Sequence, residues 1–216
     1  MHAPVNQSEA TALATMDAHR PLTGRDLILQ QENLNAMIRV ADMMAKSRNM
    51  VGKHLRDNQG GCLAVTMQAM RWNMDPFAVA ACCSVVHGRL MYEGKLVAAV
   101  LEARLGLRLS YRFGTHTGNG VYDWTKEGTG DALACQVSGT LPGETELRTI
   151  EGHVGDWKTP GANSPWTKPS ALKRMCRYRG SREFARAHSP GVMLGVVTDD
   201  EMDVAADRRM ALTDQR

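Results

Sequence analysis

Leu34, Met37, Ile38, Ala41 and Met44 recur at three- and four-residue intervals. That spacing puts side chains on one helical face and predicts a helix from Leu29 onward. Lys46, Arg48 and Lys53 fall towards its end, where cations suit the helix dipole. Gly60-Gly61 are expected to break the chain before a second, more buried helix over residues 62–72. Asp75-Pro76 then supply a cap and a first-turn proline for a short helix over 77–81. Ser84-Val85-Val86 and Leu90-Met91-Tyr92 flank Gly88-Arg89, a pattern that predicts a tight hairpin. Leu96, Val97, Val100, Leu101 and Arg104 restore the helical interval over 93–105, and Gly106 stops it.

The second half changes character. Three strand-like stretches, 107–113, 132–141 and 146–153, are separated by Gly-rich turns and predict an antiparallel meander. Residues 157–169 are dense in Pro, Gly, Asn, Ser and Thr and are expected to form a loop. A basic helix follows over 170–188, then an apolar run over 191–197 and the acids Asp199-Asp200-Glu201. The fold class is therefore α+β: a β-hairpin, a helix and a three-stranded antiparallel meander forming one sheet, with helices packed on one face. Residues 1–24 are polar and broken by Pro4 and Pro21, so they are expected to be a flexible tail. Residues 25–202 are expected to form one domain and 203–216 a second tail.

Composition sharpens this picture at one place. The 216 residues, 43% of them apolar, suffice for a core, and 26 basic against 23 acidic side chains leave only +3 overall. Yet residues 164–190 hold seven cations, Lys168, Lys173, Arg174, Arg177, Arg179, Arg182 and Arg186, against the single acid Glu183. On a helical wheel Leu172, Cys176, Gly180 and Ala187 turn inward. Lys173, Arg174, Arg177, Arg182 and Arg186 spread round the flanks, and Arg179 falls inside the apolar arc. An i,i+4 pair between Arg179 and Glu183 accounts for one of these charges. The remainder make an uncompensated field that suits a polyanion, and phosphate backbone is the economical candidate. Trp157, Trp166 and Tyr178 lie in or beside the segment. Their rings are suited either to stacking on unpaired bases or to anchoring the loop.

Other chemistries find less support. The five Cys are odd in number and Cys82-Cys83 are vicinal, which suits reduced core thiols better than a disulfide framework. The seven His lack paired metal-ligand spacing. Gly88 to Lys95 imitates a phosphate-binding loop, but its glycines enclose five residues instead of four, and Leu96 stands where a hydroxyl must meet magnesium. Gly118-Asn119-Gly120 and Gly128-Thr129-Gly130 read as turns. Asp131, Asp156 and Lys158 offer an alternative, a metal-dependent DNA nuclease in which carboxylates hold magnesium and the lysine steadies the scissile phosphate. Gly155, Pro160 and Gly161 favour a loop at that point instead of a core strand. The chain lacks an apolar run of membrane-spanning length and a signal-peptide layout, so a cytoplasmic location and no membrane partner are expected.

Trp166, Met175-Cys176-Arg177-Tyr178-Arg179, Phe184, Arg186 and residues 190–201 together resemble the C-terminal signature of RecT-type phage recombinases. Asp75-Pro76, Gly88-Arg89 and residues 92–97 are similar to that family's central region, so the likeness covers roughly residues 60–202. Gly180 replaces an expected alanine, and Cys176 an expected leucine. The resemblance implies a Rad52-like core and an ATP-independent protein that coats single-stranded DNA, anneals complementary strands and serves homologous recombination and DNA repair. It also implies a homo-oligomer, ring or helical filament, that holds the nascent duplex and works with a phage exonuclease in a bacterial host cytosol. No bond-making catalysis and no required cofactor are expected, and Mg2+ is expected at most to modulate annealing. On this reading Arg89, Lys95, Lys158, Trp166, Lys168, Lys173, Arg177, Arg179 and Arg186 contact DNA. Their cations would have to converge into one continuous trough.

Overall fold

The apolar stripe of the first helix becomes α1, Gln31–Lys46, which buries Met37, Ala41, Met44 and Ala45. The computed structural model describes residues 30–86, 89–159, 161, 164–194, 196 and 198. Both expected tails, the hairpin residue Gly88 and the acids Asp199-Asp200-Glu201 lie outside the described residues. α1 packs along α2, Gln59–Trp72. This helix includes Gly60-Gly61 in its first turn. The Asn58 side chain accepts from the Gly61 backbone N–H at 2.9 Å, and this cap satisfies an otherwise orphaned donor, so the pair opens the helix instead of breaking the chain. α3, Pro76–Ala80, is capped as predicted, Asp75 Oδ1 accepting from Phe77 N–H at 2.9 Å.

β1 (Cys83–Val86) and β2 (Arg89–Tyr92) pair antiparallel, with Val86 opposite Arg89. Arg89 therefore belongs to the strand and not to the turn. α4 (Lys95–Leu105) ends where Gly106 adopts φ +64°, a left-handed cap. The hairpin is a two-stranded sheet of its own, which corrects the single-sheet expectation.

The second sheet has four antiparallel strands in the order β4-β3-β5-β6. They are β3 (Ser110–Gly118), β4 (Val121–Asp123), β5 (Leu133–Thr140) and β6 (Leu147–His153). The predicted meander corresponds to β3, β5 and β6. β4 is an addition to it; this strand folds back from β3 through Asn119-Gly120, both at positive φ (+50° and +73°), as a tight two-residue hairpin turn requires. Register assigns the faces. Phe113 lies opposite Cys135, and Tyr111 opposite Val137, which lies opposite Ile150. These residues share one face. Arg112, Gln136 and Glu151 align in the same way on the other.

α5 (Val154–Trp157) and two 3-10 turns, Pro165–Thr167 and Pro169–Ala171, lead into α6, Leu172–His188. α6 lies across β5 and β6. The approach is close because small residues face each other: a Cβ on Gly180 would stand 2.5 Å from Val137 Cγ2 and 3.1 Å from Trp157 Cη2. Trp157 in turn covers Gly152, where any Cβ would collide with its ring. A glycine at position 180 is what allows helix and sheet to come this close. Gly180→Ala gains about 1 kcal/mol of helix propensity but forces an overpacking cost of about 1–3 kcal/mol. The expected result is a lower thermal midpoint by circular dichroism, and a raised midpoint would contradict the close packing.

Cys62, Cys83, Cys135 and Cys176 are buried, Cys82 is half-buried, and all five are free. Burial pushes the Cys83, Cys135 and Cys176 thiols up to about 12, so they behave as apolar core residues. Arg182 departs from the helical wheel: instead of flanking the helix it is 1% exposed, among the largest fully buried side chains. No helix among the described residues is long and apolar enough to cross a membrane.

Candidate nucleic-acid interface

α6 is basic because its sequence is, but packing decides which cations reach the surface. Lys173, Arg174 and Arg177 are exposed and fall within an arc of about 100° of helix, given 3.6 residues per turn. Their arc turns towards β3. The Arg177 guanidinium sits 5.8 Å from the Tyr111 ring centroid and 5.5 Å from that of Phe113, and Lys173 Nζ is 5.4 Å from Phe113. Tyr111 is itself fixed, its hydroxyl 2.7 Å from Ser181 Oγ, while Ser181 donates to the Arg177 carbonyl at 2.7 Å. Lys173 also pairs with Glu127 at 2.7 Å. Neither Arg174 nor Arg177 has an ion-pair partner among the described residues.

The other predicted contacts are dispersed. Arg186 follows Arg177 by nine positions, so it projects from roughly the opposite side of the helix. Arg179 shares that second side, half-buried, with its Nε 3.0 Å from Glu183. Lys168 is exposed before α6. Lys158 pairs with Asp131. Lys95 pairs with Glu93 at 2.6 Å, and that bond holds its ammonium above the ordinary lysine range. Lys95 opens α4 just after Gly94, which packs so closely on Tyr178 that an added Cβ would stand 3.0 Å from Tyr178 Cβ. Arg89 is exposed on β2. Trp166 is 6% exposed and anchors its loop, as does Trp157 at 8%, so neither offers a ring face at the surface. The cations thus form two groups on α6 and outlying single residues, and not one line along it.

The nuclease trio is drawn to one corner, where α5 meets the 3-10 turn Gly130–Ala132. Lys158 is bonded to Asp131 there, and Asp156 lies 3.2 Å from His153 Nδ1. Among the described residues no group of three or more His, Cys, Asp or Glu is placed to hold a metal ion.

Sequence reasoning missed an aromatic row on the sheet face opposite α6. Trp124 stacks on Tyr122 (centroids 5.4 Å, 30°), Tyr122 meets His116 (5.4 Å), and His116 stacks on His153 (3.9 Å, 24°). Tyr122 and His116 are cross-strand partners. The signal was present in Asn119-Gly120 followed by alternating Tyr122 and Trp124, a hairpin with two aromatics on one face. Burial lowers the His153 pKa from its ordinary value, against the pull of Asp156, so the ring favours its neutral form.

No family model, curated protein or solved structure matches this chain. The assignment of function therefore rests on the residues and their geometry.

Proposed function

We propose that this protein binds single-stranded DNA and anneals complementary strands without nucleotide hydrolysis, using a surface centred on Lys173, Arg174 and Arg177. The supporting observation is the Arg174 and Arg177 pair, exposed on α6 without carboxylate partners among the described residues and bordered by the aromatic edge of β3. Annealing needs no bond making. It requires neutralised phosphates, so that two strands approach, and base edges left free to pair. A cluster of guanidinium groups held by sheet and helix performs the first task. The order hairpin, helix, sheet, basic helix agrees with the Rad52-like core that the RecT-type resemblance implies, and an oligomer would repeat the cationic surface along a strand. Homo-oligomeric assembly and an exonuclease partner belong to this same reading.

The direct test mixes two complementary oligonucleotides, one carrying a fluorophore and the other a quencher, with and without protein and with no nucleotide triphosphate. Pairing is expected to accelerate, and the acceleration to fade as salt rises. Unchanged pairing kinetics at low salt would remove the proposal. Cleavage of labelled DNA in magnesium would replace it with the nuclease alternative.

A further inference from the structure

The open face of the four-stranded sheet carries ring surfaces that the basic helix does not use. Ser110, Arg112, Thr149 and Glu151 are exposed on that face, and His116, Tyr122 and Trp124 are half-buried beside them. Trp124 is seated over Gly114, where an added Cβ would collide with the indole, so the strand is shaped to receive this ring. Arg112 donates to the Trp124 carbonyl at 3.2 Å, which brings a guanidinium to the row's end.

The row is also joined to the cationic cluster. The chain leaving Trp124 reaches Glu127, which pairs with Lys173 at 2.7 Å, so residues 124–127 pass from the open face to the side of α6 that carries Arg177. The acids nearby are engaged within the chain. Asp123 accepts from Thr125 N–H at 2.9 Å and from its hydroxyl at 2.6 Å, Asp131 pairs with Lys158, and Glu151 accepts from Gln136 at 2.7 Å. Glu151 and Asp156 stay negatively charged beside Tyr122, and the nearby cations without a carboxylate partner among the described residues are Arg112 at the row's end and Arg174 and Arg177 beyond it.

We propose that Trp124, Tyr122 and His116 form a stacking platform for unpaired bases of a single strand whose phosphates reach Arg112 and the Lys173, Arg174 and Arg177 cluster. This rests on the single-stranded DNA reading and adds a second, base-contacting surface to it. Every base has a π face, so such a platform is indifferent to sequence. A duplex keeps its base faces stacked inside and gains nothing from the row, which makes the platform selective for single strands over double.

Trp72, Trp157 and Trp166 are 2%, 8% and 6% exposed, so Trp124 is the tryptophan best placed to report on ligand. The experiment titrates the full chain with oligo(dT) and with an abasic oligonucleotide of equal length, following intrinsic tryptophan emission and affinity. Oligo(dT) is expected to quench the emission and to bind about tenfold or more tightly than the abasic strand, the scale of one base stacked on an aromatic ring. A Tyr122→Leu/Trp124→Leu variant is expected to lose that preference while holding its abasic affinity. Arg174→Ala/Arg177→Ala is expected to weaken both ligands and keep the preference. Equal wild-type affinity for the two strands, or unquenched emission on oligo(dT) binding, would overturn the platform while leaving the cationic surface standing. Failure to bind either strand would overturn both. The wild-type comparison needs no variant, so an unstable variant does not blunt the test.

Discussion

Arg182→Ala is expected to lower the thermal midpoint by roughly 6–20 °C, the shift that about 3–5 kcal/mol produces in a protein of this size. Arg182 is 1% exposed. Its Nη1 donates to Thr198 Oγ1 at 3.0 Å and its Nη2 to Glu183 at 3.2 Å. Glu183 also receives Arg179, so the three side chains form one ionic group in which Arg182 is the innermost member. Truncation leaves the Thr198 hydroxyl without this donor and opens a cavity where a long side chain stood. The link is also long-range, because Thr198 makes a parallel bridge with Tyr92 of the hairpin. Arg174→Ala, at an exposed position, is expected to leave the midpoint within about 2 °C of wild type. Denaturation followed by circular dichroism checks both, and equal midpoints for Arg182→Ala and wild type would refute the buried role.

Arg174→Ala/Arg177→Ala is expected to weaken single-stranded DNA binding by about 100-fold at low salt. Each charge-assisted contact contributes about 1.5–3 kcal/mol before solvent screening reduces it. The logarithmic salt slope is expected to fall by about 1.4, since each phosphate contact to a single strand contributes about 0.7. Arg179→Ala/Arg186→Ala provides the comparison, with a smaller expected effect, because these residues project from the other side of α6 and Arg179 is committed to Glu183. Filter binding over a range of salt concentrations measures both quantities. Should the Arg179 and Arg186 pair prove the more damaging, the interface lies on the opposite side of the helix.

Much of the architecture was legible because it depends on short-range rules. The Asp75-Pro76 cap, the Gly106 stop and the alternation in residues 146–153 each carry their own conformational preference, and each is found where expected. What escaped depends on partners outside each short stretch. Gly60-Gly61 signal a break when taken alone, and the Asn58 cap turns them into a helix start. The helical wheel fails at Arg182 because it presumes one buried face. α6 is enclosed by the sheet on one side and by α4 and the 3-10 turn Pro190–Met193 on others, so inward positions extend well round the helix. Arg182 sits at 1% exposure for that reason, and Ala187, expected inside, is exposed. For the candidate site, the cationic segment was visible in composition, but its division into two groups followed from packing. The tryptophans nearest in sequence proved to be anchors. The half-exposed rings came from β3, β4 and the residue just after β4, forty residues or more upstream of the cationic segment.

The glycine seat under α6 has a consequence for recognition. With Gly180 against Val137, and Trp157 wedged between Gly180 and Gly152, the helix is keyed to the sheet and cannot slide or roll without collision. Arg177, resting on Tyr111 and Phe113, is carried on that rigid frame. A polyanion docking here meets charges already in position, and the entropy lost on association is confined to the tips of a few long side chains.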